Sequence, residues 1–231
     1  MAKSAKAAPD RPTDPRRTSV EALLRLAAEK PYEAISLTEI AAEAGLSLAD
    51  LRDLFPSKGA MLGGLMRMTD RIVLEGTGTD MADENVHDRL LDVMMRRFDA
   101  LTPYRAGLKS IARAVRRDPA LAMALNQAAL NSWRFMLEAA RINVEGSLGF
   151  LRTQGAALVF ARALDVWVDD DDDMARTMAF LDRELTKGGK VLEAASALKK
   201  LASPFCGLAR AVAERRRPER RVEPERTGTA F

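Results

Sequence analysis

The residues able to do covalent or metal chemistry are few in this chain. It has one histidine, His87, and one cysteine, Cys206. One Cys excludes an internal disulfide and a multi-cysteine zinc site. One His leaves no cluster for a metal and no basis for a Cys–His pair. No nucleophile–base pair can be assembled, so the sequence points away from an enzyme and calls for no metal and no cofactor. Asp169 to Asp173 is a run of five carboxylates. We read it as helix caps and as charges favoured by the positive end of a helix dipole, not as a metal site.

What remains is recognition chemistry, concentrated between Ser36 and Leu62. Thr38, Ser47 and Lys58 have the hydroxyl and ammonium donors that usually meet phosphates. Arg52 can take a guanine edge or a phosphate. Asp50 and Asp53 work against this: a carboxylate is repelled by phosphates, and its one good base partner is the cytosine amino group. With Leu48 and Ala49, these residues form a candidate DNA-reading surface.

Local signals say which elements must position them. Ser36 and Glu39 have the spacing of a capping box, with Ile35 and Ile40 at the positions of a hydrophobic staple. Gly45 stands where a helix ends in the left-handed conformation. Ser47 caps the next helix, Pro56 stops it near Phe55, and Ser57 caps a third. Two short helices joined by a tight Gly turn make a helix-turn-helix, whose second helix enters the major groove. Before it, Thr18 to Glu29 places Val20, Leu23, Leu24, Ala27 and Ala28 on one face, with Thr18 and Glu21 as a further capping box.

Several stretches resemble the N-terminal domain of the TetR family of bacterial regulators: Tyr32-Glu33-Ala34, Leu37-Thr38-Glu39-Ile40-Ala41, Ala44-Gly45-Leu46-Ser47 and Phe55-Pro56-Ser57-Lys58. The resemblance covers roughly residues 17–65. The sequence departs from that family at Arg52, where relatives usually carry Tyr, and at Leu54, where they carry an aromatic or His. It implies an all-α fold, with a three-helix helix-turn-helix domain followed by a helical bundle. It also implies a homodimer that binds an inverted-repeat operator in double-stranded DNA and acts as a repressor controlled by a small apolar effector.

The rest of the chain reads as helix with no credible strand. A connecting helix spans Lys58 to Leu74, and Gly76 to Asn85 breaks the pattern. Further helices are expected over Val86 to Leu101, Ala106 to Arg116, Leu121 to Ala140, Phe150 to Val168 and Asp170 to Thr186. Phe150 to Val168 is apolar nearly all round, as at a subunit interface. Met94, Phe98, Tyr104, Trp133, Phe160 and Trp167 are the candidates to line an apolar pocket. Gly188-Gly189 should release the chain into an amphipathic piece over 188–208. The expected organisation is a basic disordered arm (1–16), the reader with its connecting helix (17–75), a ligand-binding and dimerisation bundle (86–187), the amphipathic helix and a basic disordered tail (209–231).

A second resemblance runs from Asp88 to Lys187. Arg89 to Phe98 leading into Leu101-Thr102-Pro103-Tyr104, Trp133, Arg152 to Phe160 and Met178 to Arg183 look like the lipid-binding accessory proteins of ubiquinone biosynthesis, which share the TetR fold. This alternative implies an isoprenoid lipid in the bundle and peripheral membrane contact through 190–208.

Bulk numbers fit either reading. The chain has 231 residues, 47% of them hydrophobic, which is enough for a real core. Its net charge of +3 arises in the tail, where 187–231 holds 11 Lys/Arg against 5 Asp/Glu. No uninterrupted apolar run reaches the length of about 18 residues that reads as a membrane span, and no secretory signal is recognisable. A cytoplasmic protein is expected.

Overall fold

The computed structural model describes residues 14–76, 83–146 and 148–194. Among these the structure is all-helical, without strands. The order is α1 (Pro15–Glu29), a 3₁₀ turn (Tyr32–Ala34), α2 (Leu37–Glu43), α3 (Leu48–Leu54), α4 (Lys58–Glu75) and α5 (Val86–Leu101). A second 3₁₀ turn (Thr102–Tyr104) leads to α6 (Arg105–Arg117), α7 (Pro119–Ala139) and α8 (Gly149–Trp167). A further helix, α9, opens at 175, and its described residues reach 194. The described residues up to Gly188 form one compact unit.

The short helices show how local sequence builds the reader. α2 and α3 have seven residues each, and isolated helices under about 12 residues are marginal in water. Caps and packing must hold them. Ser36 and Glu39 form the expected capping box, and Ser47 forms one with Asp50. Gly45 joins the two helices at φ +68°, where a Cβ would be strained. Ile35, Ile40, Leu51 and Phe55 turn inward onto Val20, Leu23, Leu24 and Ala27 of α1.

Four expectations need correction. α1 starts at Pro15, not Thr18, because Asp14 caps it by accepting from the Arg16 amide and Pro15 suits the first helical position. Thr18 and Glu21 form no capping box: Thr18 donates to the Asp14 carbonyl, and Glu21 pairs with Arg17. α9 opens at 175, not 170, because the carboxylates cap it from further back. Asp173 accepts from the Ala175 amide, and the buried Asp170 accepts from both the amide and the hydroxyl of Thr177. Gly188 and Gly189 do not break the helix, both being helical, although the compact unit ends at Gly188. Glycine costs a helix only about 1 kcal/mol each relative to Ala. The arm at 1–13, the 195–208 part of the amphipathic piece and the tail at 209–231 lie outside the described residues.

Beyond the reader, α5, α7 and α8 share an aromatic core. Phe98 stacks on Phe160 at 4.5 Å between ring centroids. Trp167 lies 5.3 Å from Phe98, and Trp133 lies 5.3 Å from Phe160. α6 ties this bundle to the reader. Gly107 on α6 meets the backbone of α1 so closely that an added Cβ would sit 2.3 Å from the Leu24 carbonyl oxygen. One turn further on, the Ser110 hydroxyl accepts from the Tyr32 amide and donates to the Lys30 carbonyl.

His87 links α5 to α9. Its Nδ1 lies 3.0 Å from the Asp88 carboxylate, and its Nε2 lies 3.3 Å from the Asp182 carbonyl. The bond to Asp88 raises its pKa, and the Asp182 contacts add to this.

Two measurements check this architecture. Gly107→Ala must force α1 and α6 apart, and urea unfolding should show a loss of about 1–3 kcal/mol. His87 should titrate above 6.5 in a single-histidine proton NMR titration. Because its folded pKa is raised, its contribution to stability is fully present below 6.5 and disappears as pH rises through the folded value.

Candidate nucleic-acid interface and ligand cavity

The outer side of the reader carries the sequence-derived DNA-contact set. Thr38 on α2 and Leu48, Ala49, Arg52 and Asp53 on α3 are all exposed, while Leu51 on the opposite side is buried. Leu48 is 50% exposed. Arg52 makes no ion pair with any described residue.

Ser47 and Asp50 are engaged with each other. The Asp50 carboxylate accepts from the Ser47 hydroxyl at 2.6 Å and from its amide at 3.3 Å. The Ser47 hydroxyl accepts from the Asp50 amide at 3.1 Å. The Asp50 charge therefore sits at the positive end of α3, where the helix dipole favours it. Glu39 plays the same part on α2, and its carboxyl is pushed down to about 2 by Lys30 first and by Ser36 second.

Lys58 is also drawn into the scaffold. Its ammonium donates to the carbonyls of Tyr32 (2.9 Å) and Ile35 (2.7 Å) and lies 4.5 Å from the centre of the Tyr32 ring. Desolvation lowers its pKa. Two of its three donors thus hold the turn before α2. Arg16 closes the other end of α3 by donating to the Leu54 carbonyl at 2.8 Å.

Behind the reader, α4, α6, α7 and α8 line a cavity of about 370 Å³ that is half open to solvent and has a mostly aliphatic lining. Of the six aromatic and Met candidates, Trp133 and Phe160 line it. Met94, Phe98 and Trp167 are fully buried one layer behind, where they back the wall and do not face the space. Tyr104 sits elsewhere, its hydroxyl donating to Glu21 at 3.1 Å across to α1. Periodicity marks a residue as buried but does not tell core from cavity wall.

Sequence reasoning missed two features of this cavity. Leu62, Leu65, Met66 and Thr69 of the connecting helix form one wall. Arg97 of α5 lines it as well, buried to 4% exposure. The signal was present: Arg97 falls between Met94 and Leu101 on the apolar face of its helix, where a charge has no business unless paired. Its partner is Asp70 on α4, which also accepts from the Ser132 hydroxyl of α7 at 2.6 Å. Two polar pairs border the cavity, Arg116 with Asp165 and Asn126 with Gln154.

Comparison with known proteins identifies the architecture. Residues 20–65 match the model of bacterial regulatory proteins of the tetR family. The fold is similar to that of a TetR transcriptional regulator from Nitrosomonas europaea ATCC 19718, with 22% identity, 76% of this chain and 99% of that one covered, and a TM-score of 0.59. It is also similar to a TetR transcriptional regulator from Rhodococcus sp. RHA1, with 20% identity, coverage of 75% and 95%, and a TM-score of 0.55. A tetR-family transcriptional regulator from Streptomyces coelicolor aligns over 86% of this chain and 99% of that one, with 15% identity and a TM-score of 0.50. No curated protein matches by sequence. The chain thus carries the N-terminal domain of the TetR family on the TetR fold.

Stability measurements separate scaffold from surface in the reader. In urea unfolding, Ser47→Ala should cost about 1 kcal/mol as a lost cap. Lys58→Met should cost about 1–3 kcal/mol, because it leaves two carbonyls without their donor. Arg52→Ala should stay within about 0.5 kcal/mol of the parent.

Proposed function

We propose that the protein is a DNA-binding transcriptional regulator, a repressor that releases an inverted-repeat operator when an apolar effector fills the bundle cavity. One observation carries the reading: α4 forms a wall of the cavity and starts immediately after the recognition helix. A molecule that wedges against Leu62, Leu65 and Met66 displaces the element on which α3 is mounted. In a dimer the two readers must meet successive major grooves about 34–36 Å apart. An effector abolishes binding if it prefers the spacing that does not match.

Dimerisation through α8 and α9 is part of the same proposal. Leu151, Gly155 and Leu158 fall on one exposed stripe of α8, and Met178 is exposed on α9. A second copy is the natural cover for these apolar side chains, and it sets the distance between readers. Both the operator and the effector would be met in the cytoplasm.

The capped position of Asp50 helps the DNA reading. A carboxylate held by Ser47 at the start of α3 keeps its charge partly compensated, leaving Arg52 and Asp53 as the two charges on that helix without such a partner.

Selection of sheared genomic DNA by the purified protein tests the function, at near-physiological salt with random competitor so that phosphate binding alone does not score. A short inverted repeat should be enriched. Binding that vanishes as salt rises, with no sequence enriched, would sink the reading. On the selected site, Arg52→Ala should weaken binding by roughly tenfold or more, the value of one good base or phosphate contact, without changing the oligomer. Leu151→Arg should instead yield monomers in light scattering and lose the operator with them.

A further inference from the structure

The cavity is polarised from its floor to its mouth. Its buried lining, with Leu62, Leu65, Ile111, Trp133 and Phe160, is apolar. The polar side chains of that buried part are spent on the protein. Arg97 pairs with Asp70, and the Thr69 hydroxyl donates to the Leu65 carbonyl. The other polar residues of the lining, Arg116, Asn126, Gln154 and Asp165, are exposed or partly exposed, so they stand on the open side. A molecule that suits both regions carries its polar group at one end and enters with the other.

One place on that rim is built to hold a polar group. Asn126 of α7 and Gln154 of α8 form a reciprocal amide pair. Asn126 Nδ2 donates to Gln154 Oε1 at 3.4 Å, and Gln154 Nε2 donates to Asn126 Oδ1 at 3.2 Å. An amide side chain has two N–H donors and an oxygen with two acceptor positions, so each member keeps a donor and an acceptor to spare. On α7, Ala129 and Trp133 share the lining face with Asn126, and on α8 Ala157 shares it with Gln154. Next to the pair the lining is therefore two alanine methyl groups, and beyond them stand the buried rings of Trp133 and Phe160, 5.3 Å apart.

Charge and hydrogen-bond sense decide which polar group. Arg116 and Asp165 neutralise each other, so the rim presents no unbalanced charge. A carboxylate only accepts and an ammonium only donates, and either meets half of what the amide pair holds out. An uncharged carboxamide meets both halves. At about 370 Å³ the cavity lies toward the lower end of the roughly 300–1,000 Å³ range of small-molecule sites.

We propose that the cavity takes a small amphiphile whose uncharged, amide-type head docks on the Asn126–Gln154 pair at the mouth while its apolar body passes Ala129 and Ala157 toward Trp133 and Phe160. The proposal deepens the reading of the cavity as an effector site and rests on it.

Three probes with a common body test it on the full-length protein by titration calorimetry, with the fluorescence of Trp133 as a second readout. Propylbenzene has no head, 4-propylbenzamide has a carboxamide, and 4-propylbenzoate has a carboxylate. The amide should bind about tenfold tighter than the hydrocarbon, the worth of one or two net hydrogen bonds, and tighter than the benzoate. Asn126→Leu with Gln154→Leu should reduce the amide's advantage over the hydrocarbon to under about twofold, while propylbenzene itself binds at least as well as before. Both side chains lie on the open side, so this variant should keep the parent's fold, which circular dichroism checks. Ala129→Phe should weaken all three probes together. Equal binding of amide and hydrocarbon, tightest binding of the benzoate, an amide advantage that survives the double variant, or binding that ignores Ala129→Phe overturns the proposal while leaving operator binding and effector control standing. Failure of every probe to bind overturns it together with the effector reading of the cavity, and the genomic selection still reports on DNA binding independently.

Discussion

The structure depends on helix α4 being buried on more than one side. Met61, Leu62, Gly63, Gly64, Leu65, Thr69 and Val73 are all withdrawn from solvent, although the helix must serve both the reader and the bundle. At its start, Ser57 caps it and Lys58 anchors it to the turn before α2. Near its middle, Gly64 admits Val20 and Phe55, whose atoms lie 3.0 and 3.1 Å from where a Cβ would stand. Further along, Asp70 joins it to α5 and α7 through Arg97 and Ser132. A helix held at three levels by different partners cannot shift without disturbing at least one of them.

The Asp70–Arg97–Ser132 cluster is a poor device for stability alone. Taking a carboxylate and a guanidinium out of water costs several kcal/mol per ion before their attraction is counted, and apolar residues of similar volume usually do as well. What such a cluster does supply is direction. It allows one alignment of α4, α5 and α7, whereas an aliphatic contact at the same place would tolerate sliding. The pair also sits where the connecting helix, the aromatic core and the cavity meet.

The reader was legible in the sequence because its signals are local. A cap, a third-position acid, a left-handed Gly and a stopping Pro each act within a few residues, and the structure reproduces every one between Ser36 and Ser57. The longer helices were legible from periodicity, with ends displaced by a few residues where a preceding Asp caps, as Asp14 and Asp118 do. The cavity was less so. Trp133 and Phe98 carry the same apolar signal, yet one faces the space and the other backs it, since that depends on how four helices cross. Lys58 was expected at a phosphate and Arg97 was not singled out, because a sequence does not show which carbonyl or carboxylate will come to meet a cation.

The crossing of α1 and α6 at Gly107 has a mechanical meaning. Most helix pairs are separated by interlocking side chains, a layer that can absorb a small push by changing rotamer. Here the layer is missing, and backbone rests on the Leu24 carbonyl. α6 also carries Leu108, Ile111 and Ala112 into the cavity wall. The joint is therefore a bearing without play: α6 can roll or slide on α1, but it cannot approach further, so a displacement toward α1 passes into the first helix of the reader without being cushioned on the way.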